Sequence, residues 1–67
     1  MRVKTVSFDP YIQFRGATCS GLKDSAHEVR MVQGPGFITI TDLRSEGADV
    51  THVPFHRCRQ WWTEAGQ

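Results

Sequence analysis

The chain opens with "RVKTVSF", residues 2–8, in which Val3, Val6 and Phe8 recur among polar positions with one break in strict alternation. Such a run, rich in β-branched and aromatic residues, predicts a strand. The break predicts either a bulge or a strand covered on both faces. Asp9-Pro10 is a turn signal. "YIQFR" then alternates, with Ile12 and Phe14 on one face and Tyr11, Gln13 and Arg15 on the other, which predicts a second short strand. "GATCSGLKDS", residues 16–25, is small and polar and predicts a long exposed loop.

In "HEVRMVQ-GPG-FITITD" two apolar-rich runs flank Gly34-Pro35-Gly36, a break whose glycines can adopt positive φ. This predicts a central β-hairpin at 27–42. In the simplest register Val32 faces Ile38 and Met31 faces Thr39. Val29, Met31 and Phe37 then line one face, and Val32, Ile38 and Ile40 the other. The same stretch carries a rival pattern. Ser25-x-x-Glu28 is a capping box, Gly34 could end a helix, and Ala26, Val29 and Val32 share helical spacing. The alternative is therefore an α+β domain with a short helix near 22–33. "LRSEGAD" reads as a turn and "VTHV", residues 50–53, as a short strand ended by Pro54. "RCRQWW" resumes an extended pattern. Five or six short, glycine-punctuated strands predict a mostly β single domain over 1–67, a small barrel or a strongly bent antiparallel sheet.

The closing segment "VTHV-P-FHR-C" is a strand, a proline, one tight turn and an apolar residue that restarts a strand. It resembles the end of a Src-homology-three-like barrel, where one helical turn after a proline joins the last two strands. The resemblance implies that fold, with Cys58 in the place of the buried apolar residue. That family's acidic loop and aromatic Ala-Leu-Tyr-type opening are lacking, so its manner of peptide binding is not implied. "GFITITD" followed by "VPFHRC" is also similar to the end of the small domain described as recognising RNA ends that carry a cyclic phosphate. Gly36, Phe37, Ile38, Ile40, Asp42, Val53, Pro54, His56 and Arg57 fit its pattern, and Cys58 replaces an isoleucine. The match covers about a third of the chain, "LRSEGADVTH" is longer than usual there, and the family's amino-terminal half is not evident.

Length changes the picture in one respect. A 67-residue chain buries only about 60% of the surface its unfolded form exposes, so domains of this size often recruit a metal, a disulfide or a second copy. A net charge of +1 gives no global case for nucleic acid, so any such case must be local. The opening "MRVKTVSFDP" has no apolar run of a secretory leader, and no stretch approaches the roughly 18 apolar residues of a membrane span. The expected compartment is the cytoplasm, with Cys19 and Cys58 as reduced thiols and no membrane partner.

Candidate chemistry concentrates in "HVPFHRCRQWW", residues 52–62. Cys19, His27, His52, His56 and Cys58 are the possible zinc ligands. His52-x3-His56 has a familiar spacing, but that spacing works on a helix, and Pro54 permits one turn at most. No Cys-x-x-Cys is present, so no metal and no other cofactor is expected. Arg57 and Arg59 would activate Cys58 if it were exposed. Strand alternation instead points Cys58 inward, and no nucleophile-elbow context exists, so no enzyme is expected.

Arg57, Arg59, Trp61 and Trp62, with Phe55 and His56, mix cations with flat rings, as single-strand binders do. Arg2, Lys4, Arg15 and Arg30 extend that patch if sheet pairing gathers them. Neighbouring strand residues face opposite ways, so one of Trp61 and Trp62 is expected inside and the other outside. Trp and Arg are also the residues that dominate protein interfaces. The expected function is a non-catalytic module that docks on a protein partner or self-associates through Phe55, Arg57, Arg59, Trp61 and Trp62. That would suit a small accessory or phage-type modulator of a larger partner. The alternative is RNA or single-stranded DNA held by the same patch.

Overall fold

Residues 2–63 are described by a computed structural model. Six strands follow one another: β1 (Val3–Phe14), β2 (Ala17–Lys23), β3 (Val29–Gln33), β4 (Phe37–Asp42), β5 (Val50–Pro54) and β6 (Cys58–Thr63). A single 3-10 turn, Phe55–Arg57, joins β5 to β6. This is the strand, proline, turn, strand order expected of the closing segment. The strands form two three-stranded antiparallel sheets, ordered β2-β1-β6 and β3-β4-β5. An isolated bridge between Arg2 and Val32 ties β1 to β3. The domain is therefore mostly β and bent, without closing into a barrel. Among the described residues no helix is long and apolar enough to cross a membrane.

The alternative of a short helix near 22–33 is not realised, since β3 occupies its second half. Two further expectations are corrected. The two expected opening strands are one, β1, whose Val3–Phe8 and Tyr11–Phe14 are joined through Asp9-Pro10 while its register with β2 shifts between Ser7 and Ile12. The loop expected over 16–25 is largely the edge strand β2, paired with β1. Arg15 and Gly16, with φ of 57° and 74°, form the two-residue turn between them, the positive-φ pair that matches strand twist in a hairpin. β2 has one neighbour and buries little, with only Cys19 and Leu22 packed partly against the core. Its polar composition reflects that edge position.

Of the two explanations for the break in alternation, a bulge or a strand covered on both faces, the bulge is present. Val3 pairs with Thr63, yet Thr5 pairs with Trp62, so Lys4 is an extra residue on β1. A second bulge lies between the pairs Ser7–Gln60 and Phe8–Cys58, where Arg59 is the extra residue on β6. Each bulge resets which side chains point inward. That is how Val3 and Val6, three residues apart, are both buried.

The central hairpin forms, one residue out of the expected register. Met31 pairs with Ile40, Val32 with Thr39 and Gln33 with Ile38. Pro35 and Gly36 are the two central residues of the turn, and the Gly34 N–H donates to the Phe37 carbonyl at 2.8 Å. Gly36 has φ +99°, and proline followed by a positive-φ glycine is the pairing a type II turn favours. The turn consumes two residues rather than three, so the facing set flips. Val29, Met31, Ile38 and Ile40 point into the core, and Val32 lies 38% exposed on the outer face. The core is completed by Val3, Val6 and Phe8 from β1, Val53 from β5 and Cys58 from β6.

Candidate functional site

The five side chains expected to meet a partner do not form one surface. Phe55, on the 3-10 turn, stacks on Trp61 with centroids 4.9 Å apart and planes at 23°. Both rings pack partly against the core, and Trp61 Nε1–H donates to Gln33 Oε1 at 3.0 Å. Arg57 donates from Nη2 to the Tyr11 carbonyl at 2.8 Å and from Nε to the Asp9 carbonyl at 3.3 Å. Its guanidinium thus fastens the stretch of β1 where the register shifts. Phe55, Arg57 and Trp61 are occupied in the domain's own packing. Arg59 is exposed, and Trp62 is 54% exposed. One tryptophan inside and one outside is the outcome that alternation predicts, and the structure assigns Trp62 to solvent.

The basic residues divide in a similar way. Arg2 pairs with Asp24 at 2.9 Å. Arg15 grips Asp42 with two donors, Nε to Oδ2 at 2.7 Å and Nη2 to Oδ1. Asp42 also accepts the Arg44 backbone N–H at 3.0 Å. The Arg15 hydrogen bonds, helped by the backbone N–H groups of Arg44 and Ser45, hold the Asp42 carboxyl at about 2, below its ordinary 3.8. This pair pins the tip of the β1–β2 hairpin to the end of β4, so neither Arg2 nor Arg15 is a free cation. Arg30 lies exposed on the outer side of β3 and His56 is exposed on the 3-10 turn, both away from Trp62 in the pairing. Lys4 is exposed at the first bulge, beside the Thr5–Trp62 pair.

What the sheet does gather is the outer face of β2-β1-β6. Lys23, Thr5 and Trp62 stand in one cross-strand row, and Gly21, Ser7 and Gln60 in the next. Lys4 and Arg59 flank these rows at the two bulges. Gly21 keeps the face low, since a Cβ there would come within 3.2 Å of the Val6 carbonyl. A cleft of about 380 Å3 opens at one end, lined by Ser7, Asp9, Ser20, Arg59 and Gln60 with Phe8 and Pro10. Among the described residues Lys4, Lys23 and Arg59 make no ion pair, whereas Asp24, Glu28 and Asp42 each hold an arginine. Lys23 and Ser20 escape a reading of the sequence, because only strand pairing puts Lys23 in the Trp62 row and Ser20 in the cleft with Arg59.

The possible metal ligands are scattered. Cys19 is on β2, where its thiol donates to the Gly21 carbonyl at 3.0 Å. His27 lies before β3 and His56 on the 3-10 turn. His52 lies on β5, with Nδ1 3.1 Å from Thr39 Oγ1 and its ring edge-on to Phe37 at 5.0 Å. Cys58 is buried, donates to the Pro54 carbonyl at 3.5 Å, and has its thiol pushed up by burial, the opposite of activation. Among the described residues no three His, Cys, Asp or Glu side chains are placed to share a metal ion. Comparison with protein families, with curated proteins and with solved structures finds no match to this chain.

Proposed function

We propose that the chain is a non-catalytic binding module whose contact surface is the outer face of the first sheet. The observation that carries this reading is Trp62, an indole 54% exposed on a low three-stranded face flanked by Lys4, Lys23 and Arg59, which make no ion pair among the described residues. Apolar surface left in water forgoes about 25 cal/mol per Å2 of stabilisation. Trp and Arg are also among the residue types that carry most binding energy when a partner covers them. Phe55, Trp61 and Arg57 support the face from within by holding β6 and the bulged part of β1. Arg57, committed to two backbone carbonyls, is not part of the contact face. Two free thiols, Cys19 and Cys58, suit a reducing, cytoplasmic setting.

A protein partner or a second copy has an additional surface to use. On the outer face of the second sheet the rows Val32–Thr39–His52 and Arg30–Thr41–Val50 present mostly β-branched side chains. Val32 and Val50 are 38% and 53% exposed there. A modulator of a larger protein would dock through such a face, with Trp62 free for a different contact.

Amide chemical-shift mapping separates these surfaces. Titration with oligonucleotides and acidic peptides, and dilution of the protein alone, should move Thr5, Ser7, Gly21, Lys23, Gln60 and Trp62 if the first face is used. Shifts confined to Thr39, Thr41 and Val50, with a dimer mass in light scattering, would assign the contact to the second sheet. Binding that Trp62→Ala leaves unchanged would refute the Trp62-centred reading.

A further inference from the structure

We infer that the occupant of the first face is a single-stranded nucleic acid, with a base stacked on Trp62 and a neighbouring phosphate seated in the Arg59 cleft. This rests on the contact-face reading above and adds the chemistry of the ligand.

Four observations converge on it. The first is charge. Lys4, Lys23 and Arg59 surround the face and make no ion pair among the described residues. Asp9 is the one carboxylate among the described residues lining the cleft, so cations outnumber it on this face. The second is the cleft itself. Arg59, Ser7, Ser20 and Gln60 line it, and their side chains carry N–H and O–H donors of the kind phosphate oxygens accept from. The third is spacing. Trp62 and Gln60 point the same way two residues apart on β6, about 7 Å at strand rise. An extended single strand bridges that span between a stacked base and the backbone beside it. The fourth is relief. Gly21 and the short side chains of Thr5 and Ser7 leave a shallow path along which a backbone can lie.

A duplex keeps its base faces covered, so the exposed indole selects an unpaired strand. An acidic peptide would satisfy the cations but offers no flat surface for the indole.

The test uses the full chain and fluorescently labelled dT and rU oligomers of about 15 nucleotides, within the site sizes of small single-strand binders. Anisotropy and Trp emission should both report binding at low salt. With about three phosphate contacts, log K should fall against log salt with a slope of about −2, at roughly 0.7 per contact. Trp62→Ala should weaken binding by about 5- to 150-fold, the range of one base–aromatic stack. Arg59→Gln and Lys4→Gln should each make the slope shallower by about 0.7. Asp9→Asn should tighten binding, because it removes the carboxylate that opposes a phosphate. The substituted side chains are exposed, and an unchanged melting temperature confirms the fold of each variant.

Absence of binding to both oligomers at low salt overturns the inference. So does tighter binding of a duplex, or wild-type affinity in Trp62→Ala. A polyglutamate peptide that binds in a Trp62-dependent way while the oligomers do not would overturn it and leave the contact-face reading standing. Oligomer binding that ignores Trp62, Arg59 and Lys4 together overturns both.

Discussion

Truncation of the two adjacent tryptophans should have opposite consequences, because one ring belongs to the domain and the other to its surroundings. Trp61 stacks on Phe55, donates to Gln33 and packs partly against the core. The stack contributes about 0.5–1.5 kcal/mol beyond burial, and the hydrogen bond about 0.5–1.5 kcal/mol. Removing a fully buried Trp side chain costs about 3–5 kcal/mol in total. Trp61 is only half-buried, so Trp61→Ala should cost about 2–4 kcal/mol on the same scale. A domain of this length has a total stability of roughly 3–10 kcal/mol. That single change therefore removes a large share of it and lowers Tm by about 4–8 °C for each kcal/mol. Trp61→Phe keeps the stack, loses the donor and should fall between. Trp62→Ala should stay within about 0.5 kcal/mol of wild type, as exposed positions do. Far-UV circular dichroism during urea and thermal unfolding measures all three without relying on the removed fluorophores. Equal losses at 61 and 62, or a Trp61→Ala variant as stable as wild type, would refute the division of labour between the rings.

Three further outcomes follow from the packing. The Asp42 carboxyl sits at about 2 in the folded chain against 3.8 ordinarily, a lowered value, so its contribution is complete above the unfolded pKa and fades as pH falls through the folded one. Tm should therefore drop between about pH 4 and pH 2 in wild type, with a shallower drop in Asp42→Asn, and parallel profiles would exclude the Arg15–Asp42 clasp as the cause. In thiol titration of the reduced native protein Cys19 should react first, whereas Cys58, buried with its thiol pushed up by burial, should react only on adding denaturant; simultaneous labelling would contradict its place in the core. Gly36 has φ +99° with open space where a Cβ would go, so Gly36→Ala should cost about 1 kcal/mol or more from backbone conformation alone, read as a lowered urea midpoint with unchanged slope.

Local sequence pattern was enough for the mostly β class and for the strand, proline, turn, strand order of the closing segment. Alternating β-branched and aromatic runs broken by glycine and proline favour strands over the helix that Ser25-x-x-Glu28 also allowed, and Pro54 marked the end of one. The same local chemistry put Cys58 inward and one tryptophan out. It did not determine register. The choice between a three-residue break and a two-residue turn at Gly34-Pro35-Gly36 depends on which facing set fills the core, and that is a property of both sheets together. Nor did it reveal β2, an edge strand whose polar residues carry almost no alternation because they bury almost nothing.

Tertiary structure alone decided the fate of the cations. Arg2, Arg15 and Arg57 find carboxylates or carbonyls 22 to 48 residues away along the chain, contacts that no spacing rule encodes. Lys4 and Arg59, each at a bulge, make no ion pair among the described residues, and Lys23 shares a row with Trp62 through two strand pairings. Charge and ring type are written in the sequence. Which of them meet on one face is set by cross-strand register, which long-range packing selects.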